Sequence, residues 1–97
     1  MRIISRSRLR EFWEKQPDSE IPLRSWSQVV EHAQWKTPQE VKATFRTADI
    51  LKSGRVVFNI RENRFRLVVR FHYNTGMAYI RFIGTHKDYD SIDADTI

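Results

Sequence analysis

The sequence predicts an α+β fold in which N-terminal helices pack on one face of an antiparallel sheet. Residues 6–45 repeat apolar side chains at three- and four-residue spacing, whereas residues from 55 onward alternate apolar and polar side chains. Because the helical pattern comes first and the strand pattern last, we expect the helices to share one face of the sheet. A chain of 97 residues suits one modest core, so residues 1–97 are expected to form a single domain.

The N-terminal half predicts a short strand and three helices. RIIS is typical of a strand, and residues 6–16 predict a first helix that the following proline ends. A second helix is expected over residues 20–35, with Leu23, Val29 and neighbouring apolar side chains on its buried side. TPQE predicts the start of a third helix ending near Phe45, because threonine can cap, proline suits the first position and glutamate completes a capping box.

Three strands are predicted from the alternation that follows. They cover residues 55–60, 64–71 and 77–83, joined by turns at 61–63 and around YNTG, which gives an antiparallel meander. One side of this meander is apolar throughout and can bury against the helices. It carries Val56, Phe58, Ile60, Phe65, Leu67, Val69, Phe71, Ala78, Ile80 and Phe82.

The opposite side of the meander is rich in arginine. It carries Arg55, Val57, Asn59, Arg64, Arg66, Val68, Arg70, Met77, Tyr79, Arg81 and Ile83. Five arginines on one side repel one another unless counter-charges or a polyanion lie across them. Arginine matches phosphate oxygens and aromatic rings stack on bases, so single-stranded RNA suits this side. The alternative is a solvated side whose arginines pair with Glu62 or with the acidic C-terminal residues.

Composition supports contact with a polyanion. The chain has 17 Lys+Arg against 12 Asp+Glu, and residues 1–83 hold 16 basic against 8 acidic residues. With no cysteine there is no disulfide, thiolate metal site or cysteine nucleophile, and a reducing cytoplasm is the expected location. No apolar run is long enough for a membrane span, so no membrane contact is expected.

The segment GTHKDYDSIDADTI supplies candidate chemistry. His86, Lys87 and Tyr89 come beside Arg81 if the chain turns at the glycine. Metal-free RNA cleavage by the 2′-hydroxyl needs a base, an acid and cations that stabilise the transition state. His86 can be base or acid near neutral pH, and Tyr89 can be the other if neighbouring cations lower its pKa. Arg66 with Arg81 could hold the phosphate.

Other candidate sites carry weaker signals. The C-terminal aspartates lack the glycine and final glutamate of a calcium loop, so we expect counter-charges or a solvated helix terminus, with no metal and no cofactor. A histidine in a terminal loop is more often an ordinary surface residue. His32 and His72 have no neighbours that suggest catalysis, and the three tryptophans are expected in or beside the core.

From about Trp35 onward the chain resembles the HigB-type toxins of bacterial toxin–antitoxin pairs. The resemblance lies in WKTPQEVKA and in the run from RVVFNI to DSIDA, most specifically in the NxxxLVV strand and in YIRFIGTHKDYD. It implies a RelE-like microbial ribonuclease fold in the bacterial cytoplasm. It also implies cleavage of mRNA on the ribosome and a toxin–antitoxin hetero-oligomer with a helix-turn-helix, HigA-type antitoxin.

The resemblance also assigns residues by position. Arg66 is similar to the strand arginine that contacts phosphate in this superfamily, and His86 and Tyr89 match the THxxYD segment expected at the active site. Arg64 stands where lysine is common and Phe65 where tyrosine is common. We therefore expect catalysis from His86, Tyr89 and Arg66. Further phosphate contacts are expected from Arg55, Arg64, Arg70, Arg81 and Lys87, with possible support from Asn59 and Asp90.

Three hypotheses follow for the function. The leading one is a ribosome-dependent, metal-independent endoribonuclease that inhibits translation. The second is a non-catalytic RNA- or ribosome-binding module that uses the same basic side of the sheet. The third is an interaction protein whose arginines serve only an acidic antitoxin. Substitution of His86 and Tyr89 separates the first from the second, because cleavage and not binding should be lost.

Overall fold

The computed structural model describes residues 1–97. Its strands are β1 (Arg2–Ile4), β2 (Asp49–Ile50), β3 (Val56–Ile60), β4 (Phe65–His72) and β5 (Met77–Thr85). Its α-helices are α1 (Ser7–Lys15), α2 (Glu20–His32), α3 (Pro38–Thr44) and α4 (His86–Asp90), and a 3₁₀ turn (Pro17–Ser19) precedes α2. The α+β prediction is confirmed. None of the helices combines the length and apolar character needed to cross a membrane.

All five strands form one sheet in the order β1-β5-β4-β3-β2. The β3–β4–β5 meander is antiparallel as predicted, and β2 extends it antiparallel to β3. The pairing of β1 is different, because it lies parallel to β5 at the opposite edge. The sequence did not predict β2, whose two residues are too few for a periodic pattern.

The helices begin and end close to the predicted residues. The capping box of α3 is present: Glu40 N donates to Thr37 Oγ1 at 3.3 Å, and Thr37 N donates to Glu40 Oε2 at 3.3 Å. Helix α2 ends at His32 and not at 35, because Ala33 is extended. The main-chain nitrogen of Met1 donates to the carbonyl of Ala33 at 2.7 Å, which satisfies an acceptor beyond the end of α2.

The hydrophobic core lies between α1–α3 and one side of the sheet, called here the core side. Helix residues Leu9, Leu23, Trp26 and Val30 are buried against it. Nine of the ten apolar strand residues predicted for this side are in the core. Val29 is an exception among the helix predictions, since it is 42% exposed.

The tenth of these residues, Phe82, lies outside the core because of a β-bulge in β5. Arg81 is an extra residue between the pairs Val69–Ile80 and Val68–Phe82. An extra residue reverses the alternation beyond it. The prediction for the last residues of this strand was therefore wrong.

Beyond the bulge, Phe82 and Ile83 have exchanged sides relative to the prediction. Phe82 packs with Val57 and Val68 on the other side of the sheet, called here the outer side. Ile83 packs against the core. The strand then continues to Thr85, so the expected turn at Gly84 is absent.

The C-terminal residues 91–97, called here the apolar cover, lie together with α4 over the centre of the outer side. Ala94 is buried against Val57 and Val68, which are 3% and 0% exposed. The surrounding contacts come from Leu51, Phe82, Tyr89 and Ile97. The expectation of one continuous, open arginine surface was wrong, because this apolar cover divides the outer side into two ends.

Candidate active site

Arg66 occupies one end of the outer side and is held by contacts on two sides. It pairs with Asn59 of β3 and Gly84 of β5. Its Nη1 donates a hydrogen bond to Asn59 Oδ1, and its guanidinium lies 5.8 Å from the centroid of the Tyr89 ring. No carboxylate pairs with it, so its positive charge is available to an anionic ligand.

Gly84 lets α4 pack beside Arg66. A β-carbon at this position would lie 2.6 Å from a ring atom of Phe82 and 3.1 Å from the β-carbon of Asp88. The first distance is shorter than a β-carbon contact allows, so the Phe82 ring would have to move, and the second is a tight contact. The glycine therefore favours the close approach of the end of β5 to α4.

The start of α4 is fixed by a second capping box. Asp88 N donates to Thr85 Oγ1 at 3.1 Å, and Thr85 N donates to Asp88 Oδ2 at 3.3 Å. The main-chain nitrogen of His86 donates to the carbonyl of Arg64, the residue before β4, at 3.2 Å, which ties the start of the helix to the start of that strand. Because His86 and Tyr89 are three residues apart on this helix, they lie on the same side of it.

Tyr89 is half-buried and remains a neutral phenol at physiological pH. Its ring packs against Phe82 at a centroid distance of 6.3 Å. Burial raises its pKa above 10.0, and the Arg66 charge lowers that pKa only in part. Three carboxylates raise it further, from Asp49, Asp95 and Asp90. The Arg66 cation therefore acts in the direction that the sequence suggested, but burial is the larger effect, so the net shift of the Tyr89 pKa is upward and the phenol is a proton donor.

His86 is exposed and faces a carboxylate. Its Nδ1 lies 3.3 Å from Asp90 Oδ2, one helical turn away. When the neutral imidazole donates from Nδ1, its Nε2 is left as an acceptor for a proton. We call Asn59, Arg66, His86, Tyr89 and Asp90 the acid–base cluster. Lys87, which follows His86 in the sequence, is exposed and takes part in no ion pair.

Arg55 was predicted to bind phosphate but is buried beneath the C-terminal residues. Its Nε donates to the main-chain oxygen of Ile97 at 2.6 Å, and its Nη1 donates to that of Asp95 at 2.8 Å. Asp95 also accepts a hydrogen bond from Ser53 N at 3.2 Å. Arg55 is therefore a structural residue that holds the cover on the sheet, and its guanidinium is not free to contact phosphate as predicted.

Arg64 also differs from its predicted position. Its Nη1 lies 3.2 Å from Asp18 Oδ2, in the turn between α1 and α2, and its guanidinium lies over the Phe65 ring. Arg61 pairs with the same carboxylate at 2.7 Å. Arg64 is thus directed toward the helical side and does not extend the outer arginine surface.

The remaining predicted contacts lie away from the acid–base cluster. Arg81 is exposed at the bulge, beyond the Val68–Phe82 pair, and is not adjacent to Arg66. Arg70 is exposed near the opposite end of β4, where it pairs in register with Tyr79. The structure thus places Arg66 against Tyr89, with His86 on the same short helix as Tyr89, and separates Arg70 and Arg81 from them. No group of three or more histidine, aspartate or glutamate side chains is placed to hold a metal ion.

Comparisons with known proteins give one consistent family. The family model of HigB toxins, RelE-like toxic components of toxin–antitoxin systems, matches residues 19–92, which include the whole acid–base cluster. The mRNA interferase toxin HigB of Escherichia coli K12 is 30% identical over 96 residues, or 97% of this chain and 92% of the relative. The mRNA interferase HigB of Shigella flexneri has the same identity and coverage. Another, from Escherichia coli O6:H1, is 24% identical over 94 residues, or 95% of this chain and 91% of the relative.

Proposed function

The chain belongs to the HigB family of RelE-like toxins, and we propose that it cuts messenger RNA during translation on the ribosome. It is the toxic component of a toxin–antitoxin system and an endoribonuclease that inhibits translation. The proposed site is supported above all by the contact between Arg66 of β4 and Tyr89 of α4. The same short helix also presents His86.

The proposed reaction is attack of the RNA 2′-hydroxyl on the adjacent phosphorus. His86 Nε2 takes the proton from the 2′-oxygen as the new P–O bond forms, and Asp90 stabilises the imidazolium that results. Tyr89 gives its phenolic proton to the departing 5′-oxygen as the old P–O bond breaks. The products are a 2′,3′-cyclic phosphate and a free 5′-hydroxyl, so atoms and charge balance without a metal.

Arg66 binds the phosphate in this proposed reaction. Its guanidinium donates to the non-bridging oxygens, where negative charge grows in the transition state. Asn59 accepts one guanidinium N–H and so orients the remaining donors. The raised pKa of Tyr89 supports its role as the acid, because the phenol keeps its proton until the leaving oxygen becomes basic.

The toxin has an antitoxin partner, as its family implies. We further propose that this partner is a HigA-type helix-turn-helix protein encoded beside it, and that the two form a hetero-oligomer in the bacterial cytoplasm. We also propose that residues 1–97 form one toxin domain, because α4 and the cover pack on the same sheet as α1–α3.

Primer extension on a defined message in a bacterial translation extract tests the proposed function. The wild type is compared with His86→Ala, Tyr89→Phe and, as a matched surface control, Arg10→Ala on α1, with and without a drug that blocks initiation. We expect cuts within the coding region from the wild type and the control only, and only during translation. Translation blocked with no cut would contradict the proposal and favour a non-catalytic binder.

A further inference from the structure

The second end of the outer side combines cations with aromatic rings. Arg70 is exposed on β4, and two residues further on the ring of His72 lies 4.8 Å from that of Tyr79 on β5. We call Arg70, His72 and Tyr79 the distal patch. Arg2 of β1 pairs with Met77 and so adds an exposed arginine beside it.

Arg70 of the distal patch and the adjacent Arg2 lack the counter-charges that several other arginines have. On the helical side, Arg6 pairs with Glu31, and Arg24 pairs with Glu20 at 2.8 Å. Neither Arg70 nor Arg2 takes part in an ion pair or donates a side-chain hydrogen bond. Two neighbouring arginines without counter-charges leave their positive charge available to an anionic ligand at this end of the sheet.

The largest cleft of the molecule adjoins this patch and not the acid–base cluster. Its lining residues include Arg70, His72, Lys36 and Asn74. The cleft therefore offers two cations and an amide next to an aromatic pair. This combination suits a nucleotide, with its phosphate on the cations and its base on a ring.

We propose that the distal patch is a second subsite for single-stranded RNA, which binds a nucleotide flanking the one that is cut. Arg70 contacts the flanking phosphate, and Tyr79, supported by His72, stacks on the base. This inference rests on the proposed function for the identity of the RNA as substrate. An acidic protein segment is the competing occupant, but it would use the arginines and leave the aromatic pair without a role.

The spacing makes the two subsites distinct. Arg66, Val68 and Arg70 alternate on the outer side of β4, so Arg66 and Arg70 lie about 13 Å apart along the strand. Val68 between them is fully buried under Ala94. One nucleotide therefore does not contact both arginines. The RNA has to cross the apolar cover to reach from one subsite to the other.

Binding of a labelled oligoribonucleotide with methylated 2′-hydroxyls tests this proposal, because the probe cannot be cut by the mechanism above. We expect Tyr79→Leu to weaken binding roughly 5- to 150-fold, the range for loss of one stacked base. Arg70→Ala should lower the slope of affinity against salt by about 0.7, as expected for one lost phosphate contact on a single strand. Tyr79→Phe keeps the ring and should bind like the wild type, as should Arg10→Ala.

The outcomes separate this inference from the proposed function. Unchanged affinity and salt slope in folded Arg70→Ala and Tyr79→Leu would overturn the distal subsite, even if the wild type cuts mRNA. Weakened binding in both, with a wild type that cuts nothing, would keep the subsite and overturn the nuclease. Loss of antitoxin binding with unchanged binding of the RNA probe would assign the patch to the protein partner and also overturn the proposal.

Discussion

The two ends of β4 carry the same kind of residue on the same side of the sheet but differ in what packs around them. At one end, Arg66 is held by Asn59 and lies against Tyr89 of α4. At the other end, Arg70 has no partner and stands beside an aromatic pair. The difference shows that the packing of α4 and the apolar cover makes Arg66 part of a reactive cluster, whereas Arg70 remains a binding residue.

The apolar cover is the feature that separates these ends. It is held by Arg55, which a sequence cannot distinguish from Arg70, because both are strand arginines on the outer side. Burial of Val57 and Val68 under Ala94 leaves no room for phosphate at the centre. Substitutions at the two ends should therefore have different effects.

The largest effect is expected at the acid–base cluster. Tyr89→Phe and His86→Ala should each slow mRNA cleavage by roughly 10²- to 10⁴-fold, because each removes one proton-transfer group. Binding of the methylated RNA should change little. The measurement is the cleavage rate in purified translating ribosomes, and cleavage within a few-fold of the wild type in either variant would contradict the assigned roles.

Arg66→Lys should lower the cleavage rate by about 10²- to 10³-fold, the range for loss of a group that stabilises transition-state charge. Lysine keeps the charge but cannot make the two-pronged contact to phosphate, nor the hydrogen bond to Asn59 in the same geometry. Arg70→Lys is the matched variant at the other end of the strand. If the two substitutions reduced cleavage equally at saturating ribosome concentration, the comparison between the ends would fail.

Arg55→Met should lower the free energy of unfolding by about 2 kcal/mol, because it removes two charged hydrogen bonds to the C-terminal main chain. Arg70→Met removes no contact of this kind and should leave stability unchanged. Urea unfolding of both variants measures the difference. An unchanged midpoint for Arg55→Met would show that the cover is held by its apolar contacts alone.

The smallest effect concerns the ionisation of Tyr89. Its folded pKa lies above the unfolded value near 10.0, so the stability tied to this shift is present below pH 10 and is lost as pH rises through the folded value. The difference in phenolate absorbance between the wild type and Tyr89→Phe should appear above pH 10. A Tyr89 signal at lower pH would show that Arg66 outweighs burial.

Much of the fold could be predicted from local patterns. The capping box at Thr37 and Glu40 and the alternation of Val56 to Ile60 depend on near neighbours, and both are found as expected. The bulge at Arg81 could not be predicted, since it depends on how β5 pairs with β4. The apolar cover was missed because its aspartates suggested a solvated segment, while its packing depends on Ala94 and Ile97.

The candidate site was predicted in part. The proximity of His86 and Tyr89 followed from their spacing, and the structure adds that both lie on a helix seated beside Arg66. Neither the burial of Tyr89 nor that of Arg55 has a sequence signal, because each depends on contacts far along the chain. The distal role of His72 was overlooked, although its alternation with Arg70 places it on the outer side.

Single-turnover cleavage at rising concentrations of programmed ribosomes tests the central difference most directly. The double variant Arg70→Ala with Tyr79→Leu should cut slowly at low ribosome concentration and approach the wild-type rate at saturation, because it loses affinity. Tyr89→Phe should stay slow at every concentration, because it loses a proton donor. A double variant that remains slow at saturation, or a Tyr89→Phe protein that recovers there, would contradict the division of the outer side into a reacting end and a binding end.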